Sequence, residues 1–123
     1  KVSAPGMKYR HYAPKADLKV VEGVTDAVVQ TINEMSEALI AQQKRVGIIA
    51  TEETRDRYKQ GIVISIGARD DEEAIARHLY GILRRFDELG VDAIFSESFQ
   101  TAGMGQAIMN RLLKAAGHQV LEV

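Results

Sequence analysis

Cysteine is absent from this chain, which excludes both a disulfide framework and a thiolate site. No apolar run approaches the ~20 residues of a membrane-spanning helix, and no signal-peptide pattern opens the sequence. The expectation is therefore a cytoplasmic protein. Phosphate-binding fingerprints are missing too. The first strand-like segment is not followed by Gly-x-Gly-x-x-Gly, and no Gly-x-x-x-x-Gly-Lys-Ser/Thr loop occurs. A receiver-type phospho-acceptor Asp is lacking where the third strand should end, since Ser65, Ile66 and Gly67 stand there. The three histidines, His11, His78 and His118, lack metal-ligand spacing, so no metal site is expected. Proline occurs twice, as Pro5 and Pro14, and both lie near the start.

With 123 residues, 46% of them hydrophobic and 27% charged, the chain has the make-up of one globular domain with a short extension. Its net charge of −1 hides an asymmetry. Lys1, Lys8, Arg10 and Lys15 give the first fifteen residues +4 with no carboxylate. The remaining twelve Lys/Arg face all seventeen Asp/Glu, leaving the body at −5. A general nucleic-acid surface needs a basic face on the body itself, so no direct nucleic-acid binding is expected. The positive end suits something local and anionic, such as a nucleotide phosphate.

Apolar runs alternate with amphipathic segments along the body. Leu18–Glu22 reads as a first strand ended by Gly23, with Thr25 as the cap of a helix over Asp26–Arg45. Val28, Ile32, Met35 and Leu39 form the buried stripe of that helix, and Lys44 and Arg45 suit its last turn. Val46–Ala50 is a strand covered on both faces. Thr51 opens one or two helical turns, and Ile62–Ile66 is a third strand. Asp70 and Glu73 resemble a capping box before a helix carrying Ile75, Leu79, Ile82, Leu83, Phe86 and Leu89, which Gly90 ends. Val91–Phe95, a helix from near Met104 to Gly117, and a strand over Gln119–Val123 complete the pattern. Such alternation predicts an α/β fold: a five-stranded, mostly parallel, Rossmann-like sheet with helices on both faces, preceded by an extended arm.

Ligands of open α/β sheets bind beyond the carboxyl ends of the strands, yet no catalytic constellation stands out there. Adjacent Glu52 and Glu53 do not share a helix face; they read as dipole partners at a helix start. Gly103-Met104-Gly105 either offers N–H groups to an anion or is a tight turn into a helix. Glu97 at a strand end remains open between the two readings. Asn110 and Arg111 read as surface or interdomain contacts, and His78 as a rim position.

The remaining stretch, Ala4-Pro-Gly-Met-Lys-Tyr-Arg-His-Tyr-Ala-Pro14, interleaves cations with flat rings. Ordering about ten residues costs roughly 10–20 kcal/mol. Met7, Tyr9 and Tyr12 offset only part of that, at ~1.5–3 kcal/mol each. On physical grounds it is either an arm that docks over an anionic ligand or an interdomain linker with solvated charges.

The run Ser3 to Pro14 resembles the linker of the two-domain threonylcarbamoyl-AMP synthases. Gly103-Met-Gly-Gln-Ala-Ile-Met-Asn-Arg-Leu-Leu-Lys-Ala-Ala116 resembles the last helix of their C-terminal domain. The resemblance implies residues 1–17 as interdomain linker and 18–123 as C-terminal α/β domain, the YrdC-like catalytic domain lying outside this chain. It implies a parent nucleotidyltransferase that makes threonylcarbamoyl-AMP from L-threonine, bicarbonate and ATP for tRNA modification. ATP is then a substrate, Mg2+ belongs to the missing domain, and this chain alone is expected to hold no cofactor and to be inactive. Lys8, Tyr9, Arg10, His11 and Tyr12 are implied as a lid over nucleotide or intermediate, with Thr51 as a minor nucleotide contact. The competing expectation is a stand-alone α/β module that binds a small ligand or protein, with the arm as tether.

Overall fold

The computed structural model describes residues 13–99 and 104–123, the side chain of Met104 excepted. Lys8 to Tyr12 and Gly103 lie outside the described residues.

Five apolar runs become strands: β1 (Asp17–Glu22), β2 (Val46–Ala50), β3 (Ile62–Ser65), β4 (Ala93–Glu97) and β5 (Val120–Glu122). They form one sheet in the order β3-β2-β4-β1-β5, and every neighbouring pair is parallel. Three helices make the crossovers: α1 (Thr25–Ala41), α2 (Glu72–Leu89) and α3 (Met104–Ala115). A 3-10 turn at Arg55–Arg57 lies between β2 and β3.

Helical periodicity decides which face each crossover covers. Val28, Val29 and Ile32 of α1 pack with Val21, Ile48, Ala50 and Phe95 on one side of the sheet. Ile75, Leu79 and Phe86 of α2, with Ile108 and Leu112 of α3, pack with Leu18, Val20, Ile49 and Ile94 on the other. The expected α/β sheet with helices on both faces is the observed architecture. Gly47 of β2 is what lets α2 settle: a Cβ built there would lie 2.6 Å from Cε1 of Phe86, whose side chain is fully buried.

All three helices end in the same reversal. At α2, Gly90 takes φ +68°, its N–H donates to Asp87 O, and that of Val91 donates to Phe86 O. At α3, Gly117 has φ +62°, with bonds from Gly117 to Lys114 O and from His118 to Leu113 O. At α1 the left-handed residue is Gln43, φ +66°, with bonds from Gln43 to Ile40 O and from Lys44 to Leu39 O. Each is a Schellman pattern. With Gln43 in the left-handed position, α1 stops at Ala41, and Lys44 and Arg45 lie beyond its last turn.

Other boundaries move for similar local reasons. Thr25 is the first residue of α1, not its cap; Val24 holds that position without a side-chain bond. The cap of α2 is Asp71, whose Oδ1 accepts from Ala74 N at 3.1 Å, one residue after the expected Asp70. The segment after Thr51 forms turns and a single short 3-10 element. β4 starts and ends two residues later than its apolar run, because its register sets Ser96 opposite Val20 and Ile49.

Candidate functional site

That shift of β4 carries Glu97 into the sheet, where it is 1% exposed. Burying a carboxylate is unfavourable unless donors surround it, and three arrive from two loops. Thr54 Oγ1 donates to Glu97 Oε2 at 2.6 Å, and Tyr58 Oη donates to the same oxygen at 2.5 Å. Arg69, from the loop after β3, donates through Nη2 to Oε1 and through Nη1 to Ser98 O at 3.1 Å. Its guanidinium lies 6.0 Å from the centre of the Phe99 ring, within cation–π range. Burial foremost, then the charge of Glu97, pushes the Tyr58 phenol well above its usual range.

Thr51 sits one step further along this chain of bonds. Its Oγ1 is 3.0 Å from Thr54 Oγ1. Since the single Thr54 proton serves Glu97, the Thr51 hydroxyl is the donor to Thr54. Thr51 is wholly buried, and its N–H also donates to Thr54 Oγ1, at 3.2 Å. The proposed nucleotide contact is thus a buried member of a hydroxyl–carboxylate network at the carboxyl end of β2.

Chain direction makes this edge the natural crevice of the fold. The chain leaves β1 towards the α1 face and leaves the adjacent β4 towards the α3 face, which is a topological switch point. Arg69, Glu97, Ser98, Gly23 and Thr25 line the gap there, with about 30 Å³ of space. That is room for no more than a few water molecules.

Paired Glu52 and Glu53 do separate jobs. Glu52 pairs with Arg55 at 3.2 Å, whereas Glu53 Oε1 accepts from Arg69 N at 3.0 Å. The bond from the Arg69 backbone holds the Glu53 carboxyl below its usual range. His78 Nδ1 lies 3.1 Å from Ile66 O. Asn110 lines a cleft of about 430 Å³ between α3 and β5, whereas Arg111 is exposed on α3. Among the described residues no group of three or more His, Asp or Glu could hold a metal, and no helix is long and apolar enough to cross a membrane. Thr54, Tyr58 and Arg69 were not singled out by the sequence; their partner Glu97 lies 28 to 43 residues away, beyond any local pattern.

Comparison with known proteins gives one family. The family model described as "Threonylcarbamoyl-AMP synthase, C-terminal domain" matches residues 1–117. The chain is 46% identical over 118 residues to threonylcarbamoyl-AMP synthase of Bacillus subtilis, covering 96% of this chain and 33% of that protein. It is 43% identical over 120 residues to the enzyme of Pyrococcus abyssi, covering 98% and 34%. The chain therefore spans about a third of the length of these curated relatives. Among solved structures it is similar to P. abyssi Sua5 complexed with L-threonine, with TM-score 0.82 and 42% identity over 100% of this chain and 34% of that one. It is also similar to the C-terminal Sua5 domain from Pyrococcus horikoshii, with TM-score 0.71 and 32% identity over 90% of this chain and 100% of that one.

Proposed function

Because this chain belongs to the threonylcarbamoyl-AMP synthase C-terminal domain family, we propose that it anchors and regulates a lid over the active site of such an enzyme. The parent would form threonylcarbamoyl-AMP and pyrophosphate from L-threonine, bicarbonate and ATP, for tRNA threonylcarbamoyladenosine modification. Its YrdC-like catalytic domain, together with Mg2+, would hold the nucleotide. The observation that carries this reading is the family match over residues 1–117, which takes in the basic arm together with the body.

In this reading Lys8, Tyr9, Arg10, His11 and Tyr12 close over the nucleotide or the mixed anhydride and exclude water, which hydrolyses such intermediates. Arg10 carries most of the contact, because a guanidinium forms charge-assisted, often bidentate bonds to phosphate. Thr51 would contribute only after its hydroxyl leaves Thr54. The likeness to a Sua5 protein complexed with L-threonine supports threonine as the amino acid.

Replacing Arg10 in the full-length protein tests the lid. Arg10→Ala should lower ATP affinity or product formation roughly 10- to 150-fold, the equivalent of ~1.5–3 kcal/mol for a bond to a charged group. The thermal midpoint should not move, and Arg10→Lys should recover part of the loss. Unchanged synthesis at unchanged stability would reduce the arm to a tether.

A further inference from the structure

We propose that Asn33 is a positioning residue for the crevice at the carboxyl edge of the sheet: its side-chain amide on α1 sets Tyr58, and through it the Glu97–Arg69 pair. Asn33 Nδ2 donates to Arg57 O at 3.1 Å, and Lys59 N donates to Asn33 Oδ1 at 3.0 Å. Those two backbone groups belong to the peptide bonds on either side of Tyr58, which is extended, with φ −88° and ψ 128°. A donor for the carbonyl before a residue and an acceptor for the N–H after it are what a parallel neighbouring strand supplies. The carboxamide of Asn33 takes the place of that strand. The task needs a donor and an acceptor on one planar group, which an amide has and an ionised carboxylate lacks.

What the amide fixes, the phenol carries on. Tyr58 packs with Val28, Val29 and Ile32 of α1, and its hydroxyl donates to Glu97 Oε2. Oε1 of the same carboxylate accepts from Arg69 Nη2, and Arg69 Nη1 donates to Ser98 O. A tyrosine side chain is rigid, with few torsions, so a clamped backbone and an anchored hydroxyl define where it lies. The contacts run without a break from Asn33 through Tyr58 and Glu97 to Arg69. Other ties on the segment do not replace this one. The Arg57–Asp26 pair is exposed, and exposed pairs contribute little. Thr54 also donates to Glu97, but its other side-chain bonds are to Thr51, not to α1.

The open space lies at the Asn33 end. Asn33 lines a groove of about 560 Å³ with Glu34, Glu37 and Lys59, against about 30 Å³ at the crevice. Detaching residues 57–59 from α1 is therefore read at Arg69. The coupling stands whether or not the arm is a lid.

The test follows the Arg69 side-chain signals and the Ser98 and Phe99 amide signals in NMR spectra of the chain as it stands. Asn33→Ala should shift all of them. It should also make the Tyr58 hydroxyl proton exchange with water roughly tenfold faster, as expected for the loss of both neutral hydrogen bonds. Asp26→Ala, which removes the surface pair from the same segment, should leave the Arg69 signals in place. Repeating Asn33→Ala in the Tyr58→Phe background separates positioning from general loosening: without the phenol, the shift at Arg69 should largely disappear. Where Asn33→Ala does not fold, Asn33→Asp carries the same comparison with a smaller effect, because it keeps the acceptor for Lys59 and loses the donor to Arg57. Unchanged Arg69 signals in the folded variant would overturn the proposal, as would a shift of equal size in the Tyr58→Phe background. Neither nucleotide nor synthesis enters these measurements, so failure here is distinct from failure of the lid.

Discussion

Arg69 reaches across 28 residues of sequence to the carboxylate of Glu97, joining the loop before α2 to the end of β4. The same carboxylate accepts from Thr54 and Tyr58, so a single buried group ties two loops to the central strand. Removing it leaves a guanidinium and two hydroxyls without their acceptor. Glu97→Ala should destabilise the fold by ~3–5 kcal/mol, read from urea unfolding. Glu97→Gln, which keeps the shape and one acceptor oxygen, should cost less. A Glu97→Ala midpoint near that of wild type would show that the loops hold themselves.

Tyr58 supplies a pH dependence. Its folded-state pKa is raised above the usual 10.0 by burial and by Glu97. Below about pH 10 both states keep the proton and the stabilisation is complete. Above it the unfolded chain loses this proton while the folded chain retains it, so stability falls as pH rises. Tyr58→Phe should be less stable at pH 7, having lost the bond to Glu97, but should lose stability less steeply between pH 10 and 11. Parallel slopes for the two proteins would exclude this role.

Gly47 and Phe86 are predicted to be coupled. Gly47→Ala forces a methyl against the Phe86 ring, and overpacking of this kind costs about 1–3 kcal/mol. Combining it with Phe86→Leu should lose less stability than the two single changes added together. Additive losses in denaturant unfolding would show that the ring simply moves aside.

Ser36 offers a stabilising change. Its hydroxyl is fully buried on α1 and has no hydrogen-bond partner among the described residues. An unsatisfied buried polar group costs ~1–3 kcal/mol, and alanine is the better helix former. Ser36→Ala should therefore raise stability by about 1 kcal/mol or more, seen as a higher denaturant midpoint at constant slope. A lower midpoint would mean that the hydroxyl is satisfied after all.

What the sequence by itself determined was the local physics. Alternating apolar runs and 3.6-residue stripes specified five strands, three long helices and the α/β class. Gly90 and Gly117 marked two helix ends, because glycine is the residue that commonly enters the left-handed conformation. The linker and last-helix motifs gave the family. Tertiary structure alone decided the rest. Gln43 ends α1 in a conformation its residue type does not advertise, so only the bonds back to Leu39 and Ile40 reveal it. Strand order, with β4 between β2 and β1, depends on which crossover covers which face. Glu97 belongs to the core because Thr54, Tyr58 and Arg69 converge on it from 28 to 43 residues away. A buried charge is stable only where several donors meet, and that meeting is a property of the packed sheet, not of any short stretch of chain.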